Sequence, residues 1–286
     1  MTTISTTPAI RHPQTLLANA SLEMTGKDVL ALAELEGRLN PGSRVNITFL
    51  GNEDEAARVA AAAAVVAAGL TPVAHISARR LRSEAELVRY LTALAQTGAA
   101  ETVFAVAGDP AVPEGPYEDS LALIGSGLLE AGGVKRVSIA GYPEGHPDIS
   151  EQALWEALER KCALLTQLGM TDSIITQFGF DAQKALRWVE QTRSRGIEIP
   201  VRIGVPGPTG VKRLLSYARR FGVATSAGIA RKYGLSLTNL MSTAGPDRYI
   251  NELSDGYDPG RHGSVELHFY TFGGLGATAE WLARAR

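Results

Sequence analysis

Residues 136–168 read RVSIAGYPEGHPDISEQALWEALERKCALLTQL. The run RVSIAGY (136–142) has the apolar, β-branched character of a buried strand. Pro143 and Pro147 then stiffen the chain where the strand should end, and Tyr142, Glu144 and His146 stand around them. A helical pattern follows over 151–168, opened by Ser150 ahead of Glu151, a pairing that suits a helix N-terminus. The stretch is one strand, one polar loop and one helix.

The same unit recurs on both sides. Strands are predicted at 21–24, 44–50, 71–77, 102–109, 136–142, 173–180, 199–205 and 264–272. Helical patterns lie near 27–39, 53–68, 83–97, 118–131, 151–168, 181–195, 209–220 and 276–284, with a more irregular helical stretch over 225–255. Asn52, leading into Glu53 and Glu55, reads as the cap of the second helix. Strict alternation implies parallel strands joined by crossover helices. Eight such units without a linker predict one α/β domain over residues 1–286, a (β/α)8 TIM barrel, with 1–20 as a loose N-terminal arm.

Composition narrows the class of protein. Of 286 residues, 45% are apolar and 20% charged, enough for a large core without disulfide staples. A net charge of -2 gives no electrostatic reason to expect nucleic acid or an anionic membrane as partner. The longest apolar run, VAAAAAVVAAGL (59–70), is too short to span a bilayer and follows EDEAAR, as a helix packed on a sheet would. The first 20 residues hold no apolar segment long enough for a signal peptide, and the single cysteine, Cys162, sits in a helical pattern and reads as inert packing. A cytoplasmic location is expected. The barrel rim could support a homo-oligomer, but no feature sets its size.

In (β/α)8 barrels the chemistry stands at the C-terminal ends of the strands. Here those ends carry Glu23, Thr48, His75, Gly108-Asp109, then Tyr142, Glu144 and His146, then Thr176-Gln177, and finally Tyr270, Thr271 and Phe272. Any one of these can be a helix cap or a packed side chain. Polar groups at the same end of so many strands point to a site.

SLEM, NIT, VAGDP, AGYPEGHP, ITQFGFD and HFYT, in that order, resemble the methylenetetrahydrofolate reductase family over nearly the whole chain. YPEGHP and the ITQF segment are the most specific pieces. The resemblance implies a barrel that holds FAD, takes hydride from NADH and reduces 5,10-methylenetetrahydrofolate to 5-methyltetrahydrofolate by alternating half-reactions. It makes Glu23 the general acid that opens the methylene bridge, a role that calls for a buried carboxyl. It makes Asp109 a fixed negative charge beside flavin and pterin. Gln177, whose amide both donates and accepts, would contact folate and nicotinamide, with Phe178 and Phe272 beside it. Thr48, His75, Gly108, Tyr142 and His146 would contact the flavin, and Arg160 with Lys161 the FAD diphosphate.

The chain departs from the family pattern at several places. Ala107 stands where the family has an arginine, the helix after YPEGHP is apolar around Leu154 and Ala157, and Gly273-Gly274 replace a folate-facing arginine. Flavin-independent hydride transfer directly from NADH to the folate therefore stays open, as does a non-catalytic flavin- or folate-binding barrel. A metal-dependent hydrolase using His75, Asp109, Glu144 and His146 is disfavoured, because no His-x-His or His-x-x-x-His pair exists and no metal is expected. GLGATA (274–279) mimics a dinucleotide fingerprint but is followed by no further strand.

Overall fold

A computed structural model of the chain describes residues 14–35, 37–49, 51, 53–220 and 243–285. Eight parallel strands close into a barrel. In chain order they are β1 (Ser21–Met24), β2 (Arg44–Ile47), β3 (Thr71–Ser77), β4 (Thr102–Val106), β5 (Arg136–Gly141), β6 (Thr171–Phe178), β7 (Val201–Pro206) and β10 (Val265–Tyr270). The two-residue strands β8 (Thr209–Gly210) and β9 (Thr243–Ala244) intervene and pair antiparallel outside the barrel. Strand β10 pairs with both β1 and β7, which closes the ring.

Side-chain alternation builds two layers. Val45, Ile47, Ala74, Ile76, Val103, Ala105, Val137 and Ile139 face outward and join the core beneath the helices. In chain order the helices include α1 (Gln14–Leu17), α2 (Val29–Ala33), α3 (Glu55–Ala67), α4 (Glu84–Gln96), α5 (Ser120–Ile124), α6 (Leu128–Ala131), α7 (Glu151–Leu168) and α8 (Ala182–Ser194), with Leu275–Ala285 after the last strand. In α3 the fully buried Ala61 and Ala62 let the helix lie close to the sheet. Facing inward, Val73, Phe104 and Ile175 form a small apolar layer inside the barrel.

The N-terminal end of the barrel is filled by charge. Arg44 of β2 reaches across the interior to Asp172 of β6, which also accepts from Ser138. Beside it Arg202 pairs with Glu266 and donates to the carbonyl of Asn19. Leu16, Leu17 and Ala20 are buried in the core, so residues 14–20 are packed rather than loose. Residues 1–13 of the expected arm lie outside the described residues.

Other boundaries differ from expectation for local reasons. The helix expected over 118–131 is two short ones, Ser120–Ile124 and Leu128–Ala131, because Gly125 closes the first and Gly127, at φ 74°, opens the second. Asp54 caps α3 by accepting from the Ala57 amide, and Asn52 lies outside the described residues. Ser150 caps α7 as expected, accepting from the amide of Ala153. Of the irregular stretch 225–255, residues 225–242 lie outside the described residues, and Asp247–Gly256 is a helix.

Candidate active site

Glu23 projects from β1 into the barrel, where two imidazoles flank it. Its Oε1 lies 3.4 Å from His268 Nε2 and 4.0 Å from His75 Nε2. His268 comes from the adjacent β10, and His75 from β3, one strand beyond β2. The Nδ1 of His268 lies 2.8 Å from Ser21 Oγ, which holds the ring in place. Burial pushes the His75 pKa down to about 4; the Glu23 carboxylate acts the other way, and His268 adds to the lowering. His75 is therefore neutral at physiological pH. Thr271 Oγ1 donates to the Glu23 carbonyl at 3.0 Å and so pins the end of β10 to β1.

Sequence reading missed His268 and Ser21. A usable signal lay in VELHFY (265–270): Glu266, His268 and Tyr270 recur with period two, so all three face inward, while Leu267 and Phe269 pack outside.

An aromatic wall stands on the β6 and β10 side. Phe178 meets Tyr270 at 5.4 Å and Phe272 at 4.9 Å between ring centroids, both edge to face. Tyr217 stacks nearly parallel on Phe272, at 4.2 Å and 13°. The Tyr270 hydroxyl donates to the Thr176 carbonyl at 3.0 Å; burial, then the charges of Glu23 and Tyr142, raise its pKa well above the usual phenol value. Gln177 occupies the position next to Thr176 at the end of β6.

The loop after β5 is braced locally. Tyr142 meets His146 edge to face at 5.5 Å, and burial raises the Tyr142 pKa. His146 Nδ1 accepts from the Asp148 amide, and Glu144 Oε1 accepts from the amides of Phe180 and Asp181 beyond β6. On the β2 side, Thr48 Oγ1 donates to the Met24 carbonyl.

Asp109 stands in the turn after β4. Its carboxylate is largely exposed and pairs with Arg80 at 3.3 Å. Gly108 ahead of it has φ +97°, and a Cβ there would come within 2.0 Å of Ser77 Oγ, so this turn requires glycine. Arg79 holds the same loop by donating to the carbonyls of Glu118 and Pro110.

The basic pair expected at a diphosphate sits in the outer helical layer. Arg160 lines a surface cleft of about 600 Å³ whose lining includes Glu118 and Asp119. Lys161 is buried, and desolvation lowers its pKa, with the charges of Cys162 and Asp119 acting the other way. Nearby on α7, Trp155 stacks on Trp188 at 5.5 Å, and Leu158 is buried. Of the two carboxylates lining the cleft, Glu118 is paired with Arg79 and Asp119 caps the helix Ser120–Ile124. The aromatic and imidazole groups toward the barrel mouth suit a flat ring. Cys162 is buried, and its thiol is pushed up to about 11 by burial, as inert packing requires. Among the described residues no group of three or more His, Cys, Asp or Glu could hold a metal ion, and no helix is long and apolar enough to cross a membrane.

The fold and site thus define a closed (β/α)8 barrel with a part-buried carboxyl and two imidazoles in its interior. The sequence profile of methylenetetrahydrofolate reductase matches residues 25–285, and the chain belongs to that family. It is 27% identical over 127 residues to methylenetetrahydrofolate reductase 2 of Saccharomyces cerevisiae, covering 42% of this chain and 20% of the yeast protein. It is 29% identical over 134 residues to methylenetetrahydrofolate reductase (NADH) 1 of Arabidopsis thaliana, covering 43% of this chain and 22% of the plant protein. The matched stretch thus spans about a fifth of the length of these relatives. A similar solved structure is an uncharacterized protein from Clostridium thermocellum, described as binding two copies of 5-methyl-5,6,7,8-tetrahydrofolic acid. It has a TM-score of 0.59 and 10% identity, with 95% of each chain covered, a likeness of fold.

Proposed function

We propose that this chain reduces 5,10-methylenetetrahydrofolate to 5-methyltetrahydrofolate with hydride drawn from NADH. The observation that carries the reading is Glu23, held inside the barrel between His268 and His75 in a chain of this family. The methylene bridge must open before it can accept hydride. Glu23 gives a proton to N10 as the bond from the methylene carbon to N10 breaks, leaving an iminium cation on N5. Hydride then adds to the methylene carbon and discharges the cation.

With the Ser21 hydroxyl donating to His268 Nδ1, the ring turns its Nε2–H toward Glu23 Oε1 and leaves the other carboxyl oxygen to carry the proton. Asp109 is the carboxylate assigned to offset the iminium charge, a role that requires it to leave Arg80, its partner here. Gln177, Phe178 and Phe272 are assigned to the folate and nicotinamide rings, and Thr48, His75, Gly108, Tyr142 and His146 to the flat ring of the hydride carrier.

Two routes for the hydride differ in one respect. Kinship with flavoproteins favours FAD as an intermediate carrier, which would supply two-electron storage between NADH and folate. Ala107, where the family has an arginine, favours direct transfer from NADH. Anaerobic turnover of NADH and methylenetetrahydrofolate, with the visible spectrum recorded throughout, tests both points. Formation of 5-methyltetrahydrofolate supports the reading, and its absence with and without added FAD overturns it. A bound flavin spectrum that bleaches with NADH selects the first route. Turnover by a colourless protein selects the second.

A further inference from the structure

Beside Glu23 the barrel interior holds four buried polar atoms without a hydrogen-bond partner among the described residues. They are both ends of the Asn46 amide, Nε2 of His75 and Nε2 of His268. Asn46 is 1% exposed. Its side chain faces inward, because Val45 and Ile47 on either side join the outer core and Arg44 crosses the interior to Asp172. Strand register sets Asn46 directly beside Glu23 on one side and Val73 on the other. Asn46 thus stands on the strand that Glu23 spans to approach His75.

A primary amide buried with both ends unpaired is costly, and proteins rarely bear that cost without water. Buried waters commonly make about three hydrogen bonds to polar groups of this kind. The donors and acceptors here converge on one carboxyl, and the apolar layer of Val73, Phe104 and Ile175 confines water to that corner.

We propose that Asn46 is a positioning residue for the acid: it holds ordered water inside the barrel against the Glu23 carboxyl. This water and the His268 ring engage the inner oxygen, so the other oxygen carries its proton toward the mouth. The amide is the suitable group because it donates and accepts at once. The proton given to N10 returns from solvent after product leaves, and the inner water serves orientation only. The inference rests on the reading of Glu23 as the acid.

Asn46→Leu, similar in volume but unable to hold water, and Asn46→Ser, which keeps a donor and an acceptor, test it together. For Asn46→Leu, kcat for folate reduction should fall about tenfold with KM within about twofold, and Asn46→Ser should recover most of kcat. A high-resolution crystal structure of the wild-type protein should show water bonded to the Asn46 amide and to Glu23 or an imidazole. A wild-type kcat in Asn46→Leu, or a dry interior at Asn46, overturns the proposal. A wild-type protein that turns over no folate overturns the substrate reading instead, and the crystallographic water then decides the role of Asn46 alone.

Discussion

Glu144 Oε1 accepts from the backbone amide of Phe180 at 2.8 Å, and from that of Asp181 at 3.2 Å, tying the loop after β5 to the end of β6. The three titratable groups of YPEGHP thus divide into two tasks. Tyr142 and His146 form an edge-to-face pair, while Glu144 is the strut beneath them. Glu144→Ala leaves two backbone donors without this acceptor and is expected to cost about 2–3 kcal/mol. Glu144→Gln, which retains an acceptor, should cost less than half as much. Urea denaturation of both variants measures this, and equal losses would show that the carboxyl is no strut.

Glu23→Gln keeps the shape of the acid and removes its proton. Folate reduction should fall by about 10²–10⁴-fold while folate affinity changes little. Single-turnover rates and a binding titration separate the two effects. A variant that reduces folate at the wild-type rate removes Glu23 from the mechanism.

His75 makes a stability prediction with a definite sign. Its folded pKa of about 4 lies below the ordinary value of 6.5, so between these limits the unfolded chain binds more protons. Stability therefore falls as pH drops from 6.5 to 4, by about 3 kcal/mol at the lower end. His75→Gln should lose this slope while keeping the other titrations of the chain. Unfolding free energies of both proteins between pH 4 and 7 provide the comparison, and parallel curves would contradict the assignment.

Asp172 serves the fold rather than the mouth. Asp172→Ala leaves Arg44 buried without its partner and should destabilise by about 3–5 kcal/mol, with KM for folate unchanged. Joint replacement by Arg44→Met and Asp172→Leu should recover much of that loss. Thermal melts of the single and double variants decide it.

The barrel was legible because alternation of strand and helix patterns is a local property repeated along the chain. Glu23 was legible through SLEM, where it stands between residues that pack outward. His268 was overlooked because its strand reads as apolar core, and only its inward period distinguishes it. The placement of Arg160 and Lys161 could not be read, since a helical pattern does not reveal which face meets a neighbouring loop. Arg80 was invisible for another reason: its partner Asp109 lies 29 residues away, and only the fold brings them together.

The Arg44–Asp172 and Arg202–Glu266 pairs, with Leu16 and Leu17 beneath, stop the barrel at its N-terminal end. The molecule is accordingly a cup and not a pipe. Under the proposed reaction, reductant and folate would share one doorway, and each product would back out along the path its precursor took.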